Sequence, residues 1–285
     1  MTTLKLAIQK SGRLSEKSIR LLQSCGIQVS NGTSRLKAAA DNFPLEVLYL
    51  RDDDIPQYVA DGVADIGIVG ENVVTEKQKA VTTVEPLGFS KCRLSLAIRR
   101  EETYQGVAQL AGKKIATSYP VILNQYLQSK GVSAQIEEIS GSVEIAPSIG
   151  LADAVCDIVS TGSTLMTNGL KEVETVMKSQ AVLIATPNLP SEKANLLDQL
   201  VFRINAVNRA RKHKYILLNA PNDTLAEISR LLPGMNSPTV TPLAREGWSS
   251  VHSVMEEDSF WETIEALRQA GAEGILVVPI EKMIV

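Results

Sequence analysis

A stretch rich in hydroxyl side chains and glycine is the part of the sequence best suited to chemistry. It follows the apolar run Ala154–Val159, which is typical of a strand covered on both faces, and it reads Ser160-Thr161-Gly162-Ser163-Thr164. Backbone N–H groups in such a turn, together with hydroxyl donors and the positive end of a following helix, form a site for a phosphomonoester. A strand, a turn and a Ser/Thr helix cap fit the same residues, so both interpretations stand.

Charged residues follow a second predicted strand, Leu45–Leu50. Arg51 precedes three aspartates, Asp52, Asp53 and Asp54. An arginine beside carboxylates at the end of a strand suits an anionic ligand that carries a metal ion. Three adjacent carboxylates are equally typical of a solvated helix start. The sequence therefore leaves both interpretations open.

The histidines and cysteines exclude several kinds of catalytic site. The two histidines, His213 and His252, both lie late in the chain, which argues against a histidine-based nucleophilic triad or a multi-histidine zinc site. The three cysteines, Cys25, Cys92 and Cys156, are widely spaced among apolar neighbours, which predicts reduced thiols. The chemistry must rest on groups other than histidine and cysteine.

Length and charge narrow the class of protein. A chain of 285 residues predicts two or three domains. The net charge of -3 supplies no basic field for non-specific binding of nucleic acid. The first residues meet a charge after a few apolar positions, so neither a signal peptide nor a membrane span is expected. We expect a cytoplasmic protein with no nucleic-acid or membrane partner.

The elements that position these residues repeat a plan of strand, loop and helix. In the first copy, Leu4–Gln9 leads into a helix that Ser15 would cap and Gly26 would end. In the second, residues 113–120 lead into a helix that ends at Gly131. The repeat indicates two similar α/β lobes rather than one.

A second pair of segments supports this repeat. Residues 63–70 align with residues 155–162, because in both an acidic residue begins an apolar strand that ends at glycine. We expect the strand at residues 94–99 to carry the chain into the second lobe and Ala181–Ala185 to bring it back. Folds of this kind bind ligands at the carboxyl ends of their parallel strands, so a cleft between the lobes is expected.

The last part of the chain has a different order of elements. After a helix at residues 192–212, the predicted order from residue 214 onward is βαββαβ. This order and this length are typical of a ferredoxin-like domain.

Several motifs together resemble the ATP phosphoribosyltransferase family over essentially the whole chain. They are residues 9–14, 51–56, 65–72, 116–120 and 144–165. In the most specific of them, Glu144 is followed by Gly150, Ala152, Val155, Asp157-Ile158, Thr161-Gly162 and Thr164-Leu165. The C-terminal unit resembles the regulatory domain of the long form; the short form lacks it and depends on a separate partner subunit.

The resemblance implies a fold class and domain limits. The fold class is α/β, with a two-lobed catalytic core like that of periplasmic binding proteins and a ferredoxin-like regulatory domain. The first lobe would comprise residues 1–92 and 184–213. The second would comprise residues 93–183, with the loop that binds phosphoribosyl pyrophosphate, and the histidine-binding regulatory domain residues 214–285.

The resemblance also implies the reaction. N1 of the ATP adenine displaces pyrophosphate from C1 of phosphoribosyl pyrophosphate to give phosphoribosyl-ATP, in the first step of histidine biosynthesis. Adenine N1 is largely unprotonated at neutral pH, so no general base is needed, which suits a chain with few histidines. Mg²⁺, feedback inhibition by histidine and a homo-oligomer between dimer and hexamer are implied as well.

Site residues follow by resemblance. The catalytic cations are Lys10, Arg35 and Arg51. The substrate-binding residues are Gly12, Arg13, Glu71, Tyr119, Glu144, Asp153, Asp157, Ser160, Thr161, Gly162, Ser163 and Thr164. The residues for bound histidine are Thr239, Thr241, His252, Ser253, Gly274 and Ile275, and those for Mg²⁺ are Asp52 and Asp53.

Some of these roles have alternatives. Glu144 and Asp157 are expected to accept hydrogen bonds from the ribose hydroxyls, or to bind the substrate through water or Mg²⁺, with Asp153 as the alternative residue. Tyr119 would pack on the adenine, or be an ordinary buried aromatic residue. A two-lobed solute-binding protein would share the lobes, but no signal peptide is expected here. A catalytically silent relative is disfavoured by the intact signature at residues 144–165.

Overall fold

Strands and helices alternate through the chain in a computed structural model that describes residues 2–30 and 36–285. The chain divides into two units, Met1–Asp198 and Gln199–Val285. The strands are β1 (Leu4–Gln9), β2 (Lys37–Ala39), β3 (Leu45–Leu50), β4 (Ile66–Gly70), β5 (Thr82–Pro86), β6 (Cys92–Arg99), β7 (Lys114–Thr117), β8 (Gln135–Glu138), β9 (Ala154–Val159), β10 (Leu170–Ser179), β11 (Ala181–Ala185), β12 (His213–Pro221), β13 (Thr239–Pro242), β14 (Trp248–Glu256) and β15 (Glu273–Pro279). The helices are α1 (Arg13–Ser24), α2 (Ile55–Ala60), α3 (Glu71–Lys77), α4 (Pro120–Ser129), α5 (Ser163–Thr167), α6 (Ser191–Lys212), α7 (Leu225–Leu231) and α8 (Glu257–Gln269). None of the described helices is long and apolar enough to cross a membrane.

The first unit contains two sheets, and each is the centre of a lobe. Lobe I is built on the described strands in the order β2-β3-β1-β4-β11-β5. Its three central strands, β3, β1 and β4, are parallel. Apolar residues fill β4 almost without interruption, as expected for a strand covered by helices on both faces.

Lobe II repeats this arrangement. Its described strands have the order β10-β6-β9-β7-β8, and β8, β7 and β9 are parallel. In both lobes an antiparallel strand lies next to the third parallel strand, β11 beside β4 and β6 beside β9. The two lobes predicted from the sequence repeat are therefore present.

Two details of the lobe limits differ from the prediction. Cys92 begins β6 in lobe II, and all of Ala181–Ala185 pairs with β4 in lobe I. The expected limits at 92/93 and 183/184 therefore fall inside strands. The strand Leu170–Ser179 was not predicted. It pairs with β6 along its length and leads to β11, with which the chain returns to lobe I.

The helices that follow β1 and β7 end in the same way. Gly26 (φ 74°) and Gly131 (φ 67°) take left-handed conformations that glycine adopts without steric cost. The N–H after Gly26 donates to Leu22 O, and the N–H after Gly131 donates to Leu127 O. These bonds satisfy carbonyls at the helix ends, so the matching sequences at these positions reflect one capping motif.

The predicted start of α1 was wrong by three residues. The helix begins at Arg13, and Gly12 occupies the cap position with φ 93°. Ser15, which was expected to cap the helix, is buried inside it at 7% exposure. A glycine cap needs no side chain, and no side chain of α1 makes the cap hydrogen bond.

The alignment of the second pair of repeat segments was also wrong. Asp65 precedes β4 and Asp153 precedes β9, and each carboxylate accepts a hydrogen bond from a backbone N–H at the start of the neighbouring strand. These two aspartates are equivalent, whereas the alignment of residues 63–70 with 155–162 had matched Asp65 with Asp157. Apolar strands permit several alignments when only residue types are matched, and this one was shifted by four residues.

The second unit has the predicted ferredoxin-like arrangement. Its described strands have the order β13-β14-β12-β15, and every pair is antiparallel. The core includes Ile216 and Leu218 from β12, Ile228 from α7, and Phe260 and Leu267 from α8. One face of the sheet is thus covered by α7 and α8.

Candidate active site between the two lobes

Loops at the carboxyl edge of the lobe I sheet carry the predicted cations. β1 and β3 are parallel, and the Lys10 N–H donates to Leu50 O at 2.7 Å. The loop with Lys10, Gly12 and Arg13 therefore lies beside the loop that starts at Arg51. Side chains from two strand ends meet at this edge, as in other open α/β sheets.

These cations are available to a ligand. Lys10, Arg13 and Arg51 are exposed. Within residues 2–30 and 36–285 none of the three forms an ion pair. Unpaired cations grouped at one edge attract anions. Arg35, the other predicted cation, lies outside the described residues.

Residues 160–164, which we call the hydroxyl loop, join β9 to α5 in lobe II. Gly162 (φ 82°) occupies the cap position of α5, and no side chain caps the helix. The hydroxyls of Thr161 and Ser163 are 3.0 Å apart, and all four hydroxyl residues of the loop are exposed. Thr164 therefore does not cap the helix, and the four hydroxyl side chains are accessible to a ligand.

Two carboxylates lie close to this loop. Asp157, within β9, accepts a hydrogen bond at 2.7 Å from the Ile158 N–H. Burial raises the pKa of Asp157, and the negative charge of Glu144 raises it further. Glu144 lies in the turn Val143–Ile145 that follows β8. Two neighbouring carboxylates of this kind are stabilised by hydroxyl donors or a cation.

Tyr119 lies where carboxylates from both lobes converge. Burial raises the pKa of its phenol, and the charges of Asp157 in lobe II and of Asp52 and Asp53 in lobe I raise it further. A cavity of about 190 Å³ beside it is lined from lobe I by Asp53 and Glu76, among others. The structure thus brings Tyr119, Asp157 and the aspartates after β3 to one place.

The aspartates after β3 suit a metal ion that arrives with a substrate. Burial and the charge of Asp53 raise the pKa of Asp52, and Lys77 Nζ lies 3.4 Å from Asp53 Oδ2. The described part of the chain contains no group of three or more His, Cys, Asp or Glu side chains that could hold a metal. Mg²⁺ in phosphate sites typically takes one or two carboxylates and completes its shell with phosphate oxygens and water. Asp52 and Asp53 suit a Mg²⁺ ion whose other ligands are phosphate oxygens and water. They do not suit a metal site made of protein ligands alone.

A larger pocket joins the lobes near the strands that connect them. Its volume is about 380 Å³, and it is lined by Glu71 from lobe I and Ser160 from lobe II. Lys91, Arg93 and Lys178 also line it, and Arg93 Nη1 is 3.4 Å from Ser160 O. Sequence reasoning missed these three basic residues. The signal that could have identified them is their position at the start of β6 and the end of β10, where the chain passes between the lobes.

Asp153 does not belong to this site. Its carboxylate accepts a hydrogen bond at 2.8 Å from the Lys114 N–H, at the amino end of β9. The hydroxyl loop is at the other end, and a strand advances about 3.3 Å per residue, so some 20 Å separate them. The assignment of Asp153 to the ribose is corrected: its role is structural.

Three of the residues predicted to bind histidine share one face of the C-terminal sheet. Thr239 pairs with His252, and Thr241 pairs with Ser250, across β13 and β14. His252 Nδ1 lies 2.8 Å from the Tyr215 hydroxyl, and its Nε2 lies 3.0 Å from Ser250 Oγ. This face is opposite to the one that α7 and α8 cover.

The remaining predicted residues do not all join them. Ser253 follows His252 directly, so its side chain points to the helix-covered face, where its hydroxyl donates to Leu232 O at 3.2 Å. Ile275 packs against the same core. Gly274 (φ 59°) lies where the pairing of β15 with β12 shifts register. Because side chains alternate along strands, Ser253 and Ile275 do not share a face with Thr239, Thr241 and His252.

Two family models together match most of the chain. The family model described as ATP phosphoribosyltransferase matches residues 51–206, and the model described as HisG, C-terminal domain, matches residues 210–282. A protein of Cytophaga hutchinsonii named ATP phosphoribosyltransferase is 61% identical over 99% of both chains. One from Bacteroides thetaiotaomicron with the same name is 57% identical over 99% of this chain and all of its own length.

Solved structures with similar folds cover most of this chain. The ATP phosphoribosyl transferase (HisG:HisZ) complex of Thermotoga maritima contains a chain with a TM-score of 0.60 and 30% identity; the match covers 71% of this chain and 99% of that one. A substrate-binding protein of an amino-acid ABC transporter has a TM-score of 0.50 at 11% identity and covers 73% of this chain. The second likeness concerns the fold alone.

Proposed function

This chain belongs to the ATP phosphoribosyltransferase family and has its long-form architecture, and we propose that the cleft between lobes I and II is its active site. There, N1 of the ATP adenine displaces pyrophosphate from C1 of phosphoribosyl pyrophosphate. The observation that carries this proposal is the hydroxyl loop, which is exposed, uncapped and centred on Gly162.

Phosphoribosyl pyrophosphate lies with its 5′-phosphate in the hydroxyl loop. Backbone N–H groups and up to four hydroxyls donate to the phosphate oxygens, and Gly162 leaves room for the phosphate to approach the backbone. Asp157 and Glu144 accept hydrogen bonds from the ribose hydroxyls. Those hydroxyls relieve the repulsion and burial that raise the pKa of Asp157.

The leaving group is stabilised by cations. Negative charge develops on the pyrophosphate as its bond to C1 breaks, so Lys10, Arg51 and Arg13 serve best at that end of the substrate. Arg35 is proposed for the same role. Mg²⁺, bound with the phosphates and with Asp52 or Asp53, would supply further positive charge. Alignment of two polyanions and charge stabilisation, rather than proton transfer, provide the rate enhancement.

ATP lies across the cleft from the ribose. Tyr119, in lobe II, offers an aromatic surface for the adenine. Asp52 and Asp53, whose charges raise the pKa of Tyr119, are on the lobe I side of the cleft. Glu71 lines the pocket that Ser160 also lines, close to where the two substrates would meet.

The C-terminal unit is proposed to bind histidine and to form contacts within a homo-oligomer of two to six chains. Thr239, Thr241 and His252 supply hydroxyl and imidazole groups on an uncovered sheet face. Leu276 and Val278, on the edge strand β15, are also exposed, as expected of a surface that meets another chain. Histidine can inhibit only if it binds the less active assembly more tightly.

Formation of phosphoribosyl-ATP is the test of the reaction. The purified protein is mixed with ATP, phosphoribosyl pyrophosphate and Mg²⁺, with and without histidine, and the nucleotide product is followed by absorbance and identified by mass. We expect a product that joins both substrates, together with pyrophosphate. Release of pyrophosphate without the joined product would contradict the proposal.

A further inference from the structure

Helix α3 connects lobe I to the segment where the chain returns from lobe II. It follows β4 directly, and the N–H of its first residue, Glu71, donates to Gln180 O at 2.9 Å. The next residue, Asn72, forms a closed pair of hydrogen bonds with Ser179: its N–H donates to the serine hydroxyl at 3.1 Å, and that hydroxyl donates to Asn72 Oδ1 at 2.8 Å. Both side chains are buried, so this end of α3 is fixed.

The other end of α3 holds the first turn of a helix in lobe II. The carboxylate of Glu76 accepts hydrogen bonds from the N–H groups of Val121 and Ile122, one on each oxygen and both at 3.0 Å. These residues lie at the start of α4, whose first residue, Pro120, has no N–H. Tyr119, at the cap position, makes no side-chain cap hydrogen bond.

Glu76 therefore takes the place of a local helix cap. The first N–H groups of a helix have no partner within it, and the helix dipole favours a negative charge at that end. In α4 both needs are met by a carboxylate from the opposite lobe. Separating the lobes would exchange two hydrogen bonds to a charged group for hydrogen bonds to water, and the net cost exceeds that of losing one hydrogen bond between neutral groups.

We propose that Glu76 is a positioning residue that holds the lobes at the spacing the reaction needs. It lines the cavity of about 190 Å³ that Tyr119 and Asp53 also line, so it sets the width of the cleft at that point. The catalytic part of this inference rests on the proposed location of the active site. The structural part, that Glu76 controls the distance between lobes, does not.

The first test measures the distance between lobes without substrate. Spin labels are attached through a ketone-bearing amino acid at Lys17 in lobe I and Gln128 in lobe II, both exposed. The labelled full-length chain is diluted into unlabelled protein, so that only distances within one chain are recorded. Glu76→Gln keeps the shape but loses the charge and one acceptor, and we expect a longer and broader distance distribution than in the wild type.

Two further variants control this measurement. Glu101→Gln removes the same charge from an exposed position in lobe II and should leave the distances unchanged. Glu76→Asp keeps the charge on a shorter side chain and should give an intermediate distribution. If Glu76 only stabilised α4, the melting temperature would fall in Glu76→Gln while the distances stayed the same, and that result would overturn the proposal.

The second test separates affinity from rate. Substrate binding can draw the lobes together again, so at saturation kcat of Glu76→Gln should stay within about twofold of the wild type. The KM values for ATP and for phosphoribosyl pyrophosphate should both rise about tenfold, the size expected from hydrogen bonds to a charged group. A fall in kcat with unchanged KM would contradict the proposal. If the wild type made no product, the distance measurement would still decide the role of Glu76.

Discussion

Asp65 in lobe I and Asp153 in lobe II occupy equivalent positions: each carboxylate accepts a 2.8 Å hydrogen bond from a backbone N–H, of Lys5 and of Lys114, on the neighbouring parallel strand. Their surroundings differ. Asp65 is 4% exposed, and both of its oxygens are 2.8 Å from Lys193 Nζ, whereas Asp153 is exposed. The aspartate at this position of the repeat is thus buried and ion-paired in lobe I, whereas it is exposed in lobe II.

This difference predicts unequal effects on stability. Asp65→Asn leaves Lys193 without its charge partner in a mostly buried place, so we expect the free energy of unfolding to fall by about 3 kcal/mol. Asp153→Asn retains an acceptor at an exposed site and should cost less than about 1 kcal/mol. Denaturant unfolding of both variants checks this. Equal losses would show that the ion pair contributes nothing.

Asp157→Asn should stabilise the substrate-free protein while impairing it as an enzyme. Because the folded-state pKa of Asp157 is raised, its ionisation penalises the fold; the penalty is absent below the unfolded-state pKa and complete above the folded-state pKa. The variant should therefore melt at a higher temperature than the wild type at pH 7 to 8, and the difference should vanish as the pH falls toward about 4.

The same variant should lose at least about tenfold in kcat/KM for phosphoribosyl pyrophosphate, because the ribose hydroxyls lose a charged acceptor. Melting curves over a pH series and steady-state kinetics measure the two effects. Unchanged kinetics would remove Asp157 from the substrate site, whatever its effect on stability.

Removal of a cation near the leaving group should lower the rate. Arg51→Ala is expected to reduce kcat about 10²-fold, as loss of a charge-stabilising group does. Lys79→Ala, at an exposed position after α3, is the control for a change of net charge. Steady-state rates at saturating substrates check the prediction. A rate for Arg51→Ala equal to that of the control would place Arg51 outside the mechanism.

The assignment of the histidine site predicts a difference between two neighbouring residues. His252→Ala removes a side chain from the uncovered face of the sheet and should raise the histidine concentration needed for half-inhibition by tenfold or more. Ser253→Ala, on the helix-covered face, should not change it. Inhibition curves with histidine, recorded for both full-length variants, measure this difference. Equal sensitivity in the two variants would move the site away from this face.

The repeat was the part of the fold that the sequence predicted best. Alternating strand and helix patterns indicated both lobes, and the βαββαβ order indicated the C-terminal unit. Strand Leu170–Ser179 was missed because it carries several charged residues and lacks a continuous apolar run. The matching of Asp65 with Asp157 was wrong because only pairing with β1 and β7 fixes the register.

The candidate site likewise has parts that could be predicted from the sequence and parts that could not. The hydroxyl loop is local in sequence and could be predicted, whereas the contact of Glu76 with α4 joins residues 45 apart and depends on how the lobes meet. The opposite orientations of His252 and Ser253 could have been predicted, since adjacent residues on a strand point to opposite faces.

Binding of phosphoribosyl pyrophosphate to a hydroxyl-loop variant tests the central claim most directly. Gly162→Val blocks the approach to the backbone of the loop, and Gly131→Val makes the same change at another glycine with positive φ, at the end of α4. Calorimetric titration with the Mg²⁺ complex should show a loss of affinity of about 10²-fold or more for Gly162→Val alone. Wild-type affinity in folded Gly162→Val would contradict the assignment of the 5′-phosphate to the hydroxyl loop.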